Sequence, residues 1–160
     1  MSKPTLGYWA IRGMVESLSY QLAYSKVDYE MKDYHSPQAW FGGDKADGLG
    51  LDFPNLPYWK DGDFGLTETL AIHKYLADRY SPSLLGANAQ EKATIEMLKN
   101  VIQAAKSGCT GLTYSQADKD VVVEAVRSKF PPVVAMLAKK PFLIGDKECY
   151  MDFFWLSLIK

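Results

Sequence analysis

The segment Leu51-Asp52-Phe53-Pro54-Asn55-Leu56-Pro57-Tyr58-Trp59, followed at once by Lys60-Asp61-Gly62, constrains this chain more than any other. Pro54 and Pro57 each remove a backbone donor and fix a φ angle, so no helix runs through the segment. It reads as a shaped loop entering a strand, with Asp61-Gly62 as the turn that ends it. A proline at the start of a strand is a place where a cis X-Pro bond costs little, and a cis Leu56-Pro57 bond would turn the backbone groups of Leu56 outward to meet a ligand. On composition alone, an ordinary turn is the simpler alternative.

The residues before this segment read β-α-β. Thr5 to Trp9 is a short apolar run ended by Arg12-Gly13, a buried first strand. From Gly13 to Ser25, Met14, Leu18 and Leu22 recur every four residues beside Val15, which makes a helix with one apolar face. Val27 to Lys32 alternates apolar and polar residues, the pattern of a strand with one covered face. Residues 36–50 form an irregular loop carrying a short helix. Leu56–Trp59 and Phe64–Leu66 then make a hairpin, and Thr67 is placed to cap a helix over Glu68–Tyr80 with Ile72, Leu76 and Tyr80 on its stripe. A mixed sheet with helices against it follows from this order.

Ser81-Pro82-Ser83 breaks the pattern, and everything beyond it reads as helix. Asn88 and Glu91 form a capping box for a helix carrying Ile95, Leu98, Ile102 and Ala105 and ending at Ser107-Gly108. A second helical stretch starts at Asp118, is interrupted at Pro131-Pro132 and resumes over Val133–Lys139. An apolar loop over Pro141–Asp146 leads to a buried helix from Tyr150 to the terminus. The expected organisation is an α/β domain over 1–80, a linker over 81–88 and an all-α domain over 89–160.

The net charge of −1, with acidic and basic residues interspersed, gives no nucleic-acid footprint and no polybasic membrane patch. No apolar stretch is long enough to span a bilayer, and Met1-Ser2-Lys3-Pro4 leads into a strand rather than a signal peptide, so the expected location is cytoplasmic. Cys109 and Cys149 lack metal-ligand or redox-pair spacing and read as packed thiols; a lone disulfide stays open. His35 and His73 have no carboxylate, Ser or Cys partner at diagnostic spacing, so neither is a ligand or base candidate, and no metal site is expected.

Two stretches carry a family likeness. Gly7-Tyr8-Trp9-Ala10-Ile11-Arg12-Gly13 resembles the opening motif of mu-class glutathione S-transferases, and Leu49 to Tyr58 resembles the most recognisable internal segment of that class. The likeness runs on more weakly through the linker, Tyr114 and the Gly145–Phe153 stretch. It implies a thioredoxin-like mixed sheet with helices, followed by a helical domain that is incomplete relative to the family, since Lys160 falls within what resembles its central helix. It implies glutathione as co-substrate, a hydrophobic electrophile as its partner in conjugation, a role in detoxification, and a homodimer.

By this resemblance Tyr8 donates a hydrogen bond to the glutathione sulfur and favours the nucleophilic thiolate; a core tyrosine at a strand end is the structural alternative. Leu56, before Pro57, would pair its backbone with the cysteinyl part of glutathione, with Asn55 beside it. Glu68-Thr69, at a helix start, would take the γ-glutamyl end, because free N–H groups and the helix dipole favour its carboxylate while Glu68 meets the ammonium. Trp9, Trp40 and Lys45 resemble the residues around the glycine end. Gly42-Gly43 lengthens the Trp40–Lys45 spacing, so a loop anchor and a solvated lysine stand as alternatives. Tyr114 matches a tyrosine that faces the electrophile and can donate a proton or hydrogen bond to it, its alternative being a surface-loop tyrosine.

Phe53 matches an aromatic that inserts into the neighbouring subunit, its alternative being a residue folded into its own domain. Lys74 stands where the class has an arginine stacked across the dimer axis, and Ala104 where an aspartate is offered to the partner's glutathione. Cys149 replaces a Ser or Thr cap, which should weaken the start of the last helix. These departures keep a second function open, a non-catalytic structural or docking subunit of a larger assembly.

Overall fold

The computed structural model describes residues 3–159, apart from the side chains of Thr113 and Tyr114. The chain forms two compact units, Met1–Pro82 and Ser83–Lys160.

In the first unit β1 (Thr5–Trp9) is followed by α1 (Val15–Tyr24), β2 (Glu30–Tyr34) and the short α2 (Pro37–Ala39), which runs into a π-turn over Trp40–Asp44. β3 (Tyr58–Asp61) and β4 (Phe64–Thr67) form the hairpin, and α3 (Thr69–Tyr80) closes the unit. The sheet order is β2-β1-β3-β4. β1 pairs parallel with β2 from Thr5↔Glu30 to Trp9↔Tyr34 and antiparallel with β3 from Thr5↔Lys60 to Gly7↔Tyr58. This is the thioredoxin-like mixed sheet, and the second unit is helical, as the sequence leads one to expect.

The apolar stripes meet where the periodicity puts them. Leu18 and Leu22 of α1, Ile72 and Leu76 of α3, and Leu6, Tyr58 and Trp59 of the sheet share one core. At the pair Gly7↔Tyr58 the phenol ring lies over the glycine, and a Cβ there would come within 2.2 Å of it. Only glycine allows β1 and β3 to pair under that ring.

Several elements differ from the sequence reading, and β3 starts at Tyr58 rather than Leu56. The alternating run Val27–Lys32 is only half strand: Val27 N–H bonds to Leu22 O at 3.0 Å and closes α1, and β2 begins at Glu30. β2 is an edge strand whose residues are exposed except Tyr34, so no face of it is continuously covered. Thr67 does not cap α3, because it is held in the β4 ladder opposite Tyr58. Glu68 is the residue before the helix, at φ 70°, and its side chain makes no capping bond.

The second unit contains a short 3₁₀ turn (Pro82–Leu85), α4 (Ala89–Tyr114), α5 (Lys119–Lys129), α6 (Pro131–Leu137) and α7 (Tyr150–Ile159). The Asn88–Glu91 capping box is formed: Glu91 N–H donates to Asn88 Oδ1 at 2.9 Å. α4 continues past Ser107-Gly108 to Tyr114. Glycine in a helix interior costs only about 1 kcal/mol, and Gly108 leaves room for the Lys129 side chain of α5, which a Cβ would meet at 2.9 Å. Pro131 and Pro132 begin α6 rather than break it, since the first helical turn needs no N–H there. At α7 the cap is reversed. The Asp152 carboxylate accepts from Cys149 N–H at 2.8 Å and from Leu143 N–H at 2.9 Å, so this start does not depend on the Cys149 side chain.

No helix among the described residues is long and apolar enough to cross a membrane. Neither Cys109 nor Cys149 is in a disulfide. Cys149 is fully buried, and burial pushes its thiol well above the ordinary range.

Candidate active site

Tyr8, at the end of β1, is 5% exposed. Its phenol oxygen accepts a hydrogen bond from Met14 N–H at 3.2 Å, so the hydroxyl sits against the residue from which α1 starts. Gly13, at φ 38°, makes that approach possible, because a Cβ there would stand 2.8 Å from the Tyr8 oxygen. A donor from the chain next to a helix N-terminus draws charge from the phenol oxygen and makes its O–H a better donor to an anion. Met14 also accepts at its sulfur from Thr69 Oγ1 at 3.3 Å, which ties the first residue of α3 to the same place.

Glu68 sits at the junction of β4 and α3 with its side chain exposed, and Asn55 Nδ2 donates to its Oε1 at 3.2 Å. The fold thus brings together Asn55 and Glu68, thirteen residues apart, and the N-terminus of α3, whose leading N–H groups receive no side-chain cap from Glu68. Leu56 and Pro57 are buried and joined by a cis peptide bond. They lie just before Tyr58, the first residue of β3, which pairs with Gly7 of β1.

Trp9 packs its ring against Tyr34 at 6.3 Å and Phe41 at 6.0 Å. Lys45 is exposed at the end of the π-turn, with its ammonium 5.3 Å from the Phe41 ring centre. Trp40 is 2% exposed, edge-on to Tyr34 at 5.1 Å and stacked on Tyr58 at 6.3 Å. Its indole anchors the turn in the core. The extra length from Gly42-Gly43 is taken up by the π-turn, in which Lys45 N–H bonds back five residues to Trp40 O at 2.9 Å.

Asp44 and Tyr34 did not stand out in the sequence. The Tyr34 hydroxyl donates to the Asp44 carboxylate, Lys32 pairs with the same carboxylate, and Tyr58 Oη lies 3.1 Å from Tyr34 Oη. The Lys32 hydrogen bond, then that of Tyr34, holds the Asp44 carboxyl below its ordinary value. Burial, then the bond to Asp44, pushes the Tyr34 phenol far up, so it stays a neutral donor.

His73 is fully buried, with Nδ1 against Gln21 Oε1 and Nε2 2.9 Å from Ser17 Oγ, while Gln21 Nε2 donates to His73 O at 2.9 Å. His73 therefore has polar partners, but they staple α3 to α1 and are not a catalytic set. Sequence separations above fifty residues hid them.

Of the remaining candidates, Phe53 is 80% exposed and Lys74 is exposed on α3, while the Tyr114 side chain lies outside the described residues. Among the described residues no group of three or more His, Cys, Asp or Glu is arranged to hold a metal ion.

Residues 4–78 match the family described as glutathione S-transferase, N-terminal domain. The chain is 36% identical over 154 residues to the class-mu 26 kDa glutathione S-transferase isozyme of Schistosoma japonicum, covering 94% of this chain and 69% of that protein. It is 33% identical over 159 residues to glutathione S-transferase Mu 2 of Mus musculus, covering 93% and 71%. A Caenorhabditis elegans glutathione S-transferase structure superposes with a TM-score of 0.80 at 19% identity, over 99% of this chain and 81% of that one, a likeness of fold. The chain belongs to the glutathione S-transferase family.

Proposed function

We propose that this protein is a mu-class glutathione transferase that conjugates the glutathione thiolate to hydrophobic electrophiles, and that it works as a cytosolic detoxification enzyme in homodimeric form. One observation carries the reading: the Tyr8 hydroxyl, oriented by Met14 N–H, shares Met14 with Thr69 at the N-terminus of α3. A thiol-directed donor and an anion-binding helix start thus belong to one small construction.

In this reading the γ-glutamyl carboxylate docks on the N–H groups at Thr69, and Glu68, steadied by Asn55, receives the ammonium. The backbone of Leu56, shaped by Pro57, pairs with the cysteinyl residue. Trp9 and Lys45 take the glycine end, and Trp40 supports the turn from the core. Glutathione releases its thiol proton to solvent, and Tyr8 stabilises the resulting thiolate by hydrogen bonding. The sulfur then attacks the electrophilic carbon: an S–C bond forms as the bond to the leaving group breaks, and the leaving group departs with that electron pair. Tyr114 is assigned to the electrophile side. Phe53, at 80% exposure, suits the part of a key inserted into a second subunit, and Lys74 is placed at the same interface.

The purified protein, mixed with glutathione and chlorodinitrobenzene, should form the thioether and release chloride. Tyr8→Phe should lower kcat/KM by roughly 10- to 100-fold, the worth of one hydrogen bond to a charged group. A wild-type protein that neither binds glutathione nor forms the thioether defeats the reading.

A further inference from the structure

We propose that Asp44 is a positioning residue for the glycine end of glutathione, acting through its hold on the turn that carries Lys45. The inference rests on the glutathione reading above and adds a residue to it.

The turn over Trp40–Asp44 is poorly suited to hold its own shape. It contains Gly42 and Gly43 in succession, Gly43 departs from helical backbone at φ −122°, ψ −109°, and the local bonding is the wide i to i+5 pattern. Consecutive glycines lose more conformational freedom on ordering than other residues, so such a turn needs fixing from outside. Two side chains fix it. Trp40 enters the core at one end. Asp44 holds the other, through the Tyr34 hydroxyl and the Lys32 ammonium on β2.

The charge arrangement suits a support and not a contact. The Asp44 carboxylate is satisfied by Lys32 and Tyr34, so its negative charge is neutralised locally. Lys45, the next residue, stays exposed as a point charge. Tyr34 links the two sides of the glycine end, since its ring also packs on Trp9 and Trp40. Freeing Asp44 would leave Lys45 on a mobile glycine turn and weaken its hold on a carboxylate, with little reason to alter the thiolate at Tyr8.

The test compares glutathione with γ-glutamylcysteine, which lacks the glycine carboxylate, using chlorodinitrobenzene as electrophile. Wild-type protein should show a lower KM for glutathione than for γ-glutamylcysteine. Asp44→Asn should raise the KM for glutathione by roughly three- to tenfold, the size of one moderate interaction. The ratio of the two KM values should move toward one, with kcat changed much less. Tyr34→Phe, which removes only the hydroxyl, should shift the ratio in the same direction, and it carries the test if Asp44→Asn fails to fold; Asp44→Glu should restore part of it. A KM ratio near one in the wild type, or a ratio unchanged in the folded variants, overturns the inference. A wild-type protein that conjugates neither thiol defeats the glutathione reading, and the inference with it.

Discussion

The backbone N–H of Met14 donates to the phenol oxygen of Tyr8 at 3.2 Å, and Gly13 beside it has no side chain to block the approach. The position of the hydroxyl therefore depends on a backbone conformation, φ 38° at Gly13, that other residues adopt only with strain. Gly13→Ala introduces a Cβ 2.8 Å from the Tyr8 oxygen in addition to that strain. It should lower stability by about 1 kcal/mol or more and kcat by roughly tenfold or more, as expected when a catalytic group is displaced. Thermal melts and steady-state kinetics on the same preparation check both effects.

Glu68 combines exposure, φ 70° and a place at the start of α3. A non-glycine residue in such backbone costs about 1–3 kcal/mol. Glu68→Gly should therefore keep or slightly raise the Tm, while KM for glutathione rises several-fold because the partner for the ammonium is gone. A clear loss of stability with no change in KM would contradict the role given to Glu68.

His73 is a structural residue. His73→Ala removes a buried ring and leaves Gln21 and Ser17 with lost partners between α1 and α3. The cavity and the stranded polar groups together should cost about 3 kcal/mol, seen as a lower urea midpoint, with KM for glutathione in the surviving folded protein close to that of the wild type.

Two aspartates respond to acid in opposite directions. Asp44 has a depressed carboxyl pKa, caused first by Lys32, so the stability it contributes is present above the ordinary carboxyl value and is lost as pH falls through the depressed one. Asp152 has a raised pKa, caused first by burial, so the stability linked to its titration is present below the ordinary value and is lost as pH rises through the folded one. Urea midpoints between neutral and strongly acidic pH should show the deficit of Asp44→Asn shrinking at the acid end and that of Asp152→Asn widening. Parallel curves would contradict both assignments.

The legible parts of the fold were those decided by neighbours in sequence. Leu18 and Leu22 face the core because four-residue spacing puts them on one side of a helix; Asn88 and Glu91 cap α4 because three residues bring them into reach; Asp61-Gly62 turns because glycine takes φ 60° there. The residues proposed to hold glutathione were legible as motifs, while the groups that support them were not. Asp44 lies ten residues from Tyr34 across a lengthened loop, and Ser17 and Gln21 lie more than fifty residues from His73. Tertiary pairing also moved boundaries. β2 starts where β1 offers it partners and not where alternation begins, and α4 passes Gly108, whose missing side chain leaves room for Lys129.

The central claim, that the Tyr8 hydroxyl stabilises the glutathione thiolate, is tested most directly by titrating the ultraviolet thiolate absorbance of glutathione bound to the protein. In the wild type the bound thiol should ionise at least one pH unit below free glutathione, and in Tyr8→Phe its titration should move back by about one to two units, the equivalent of one hydrogen bond to a charged group. Superimposable titrations of the two proteins would contradict the account.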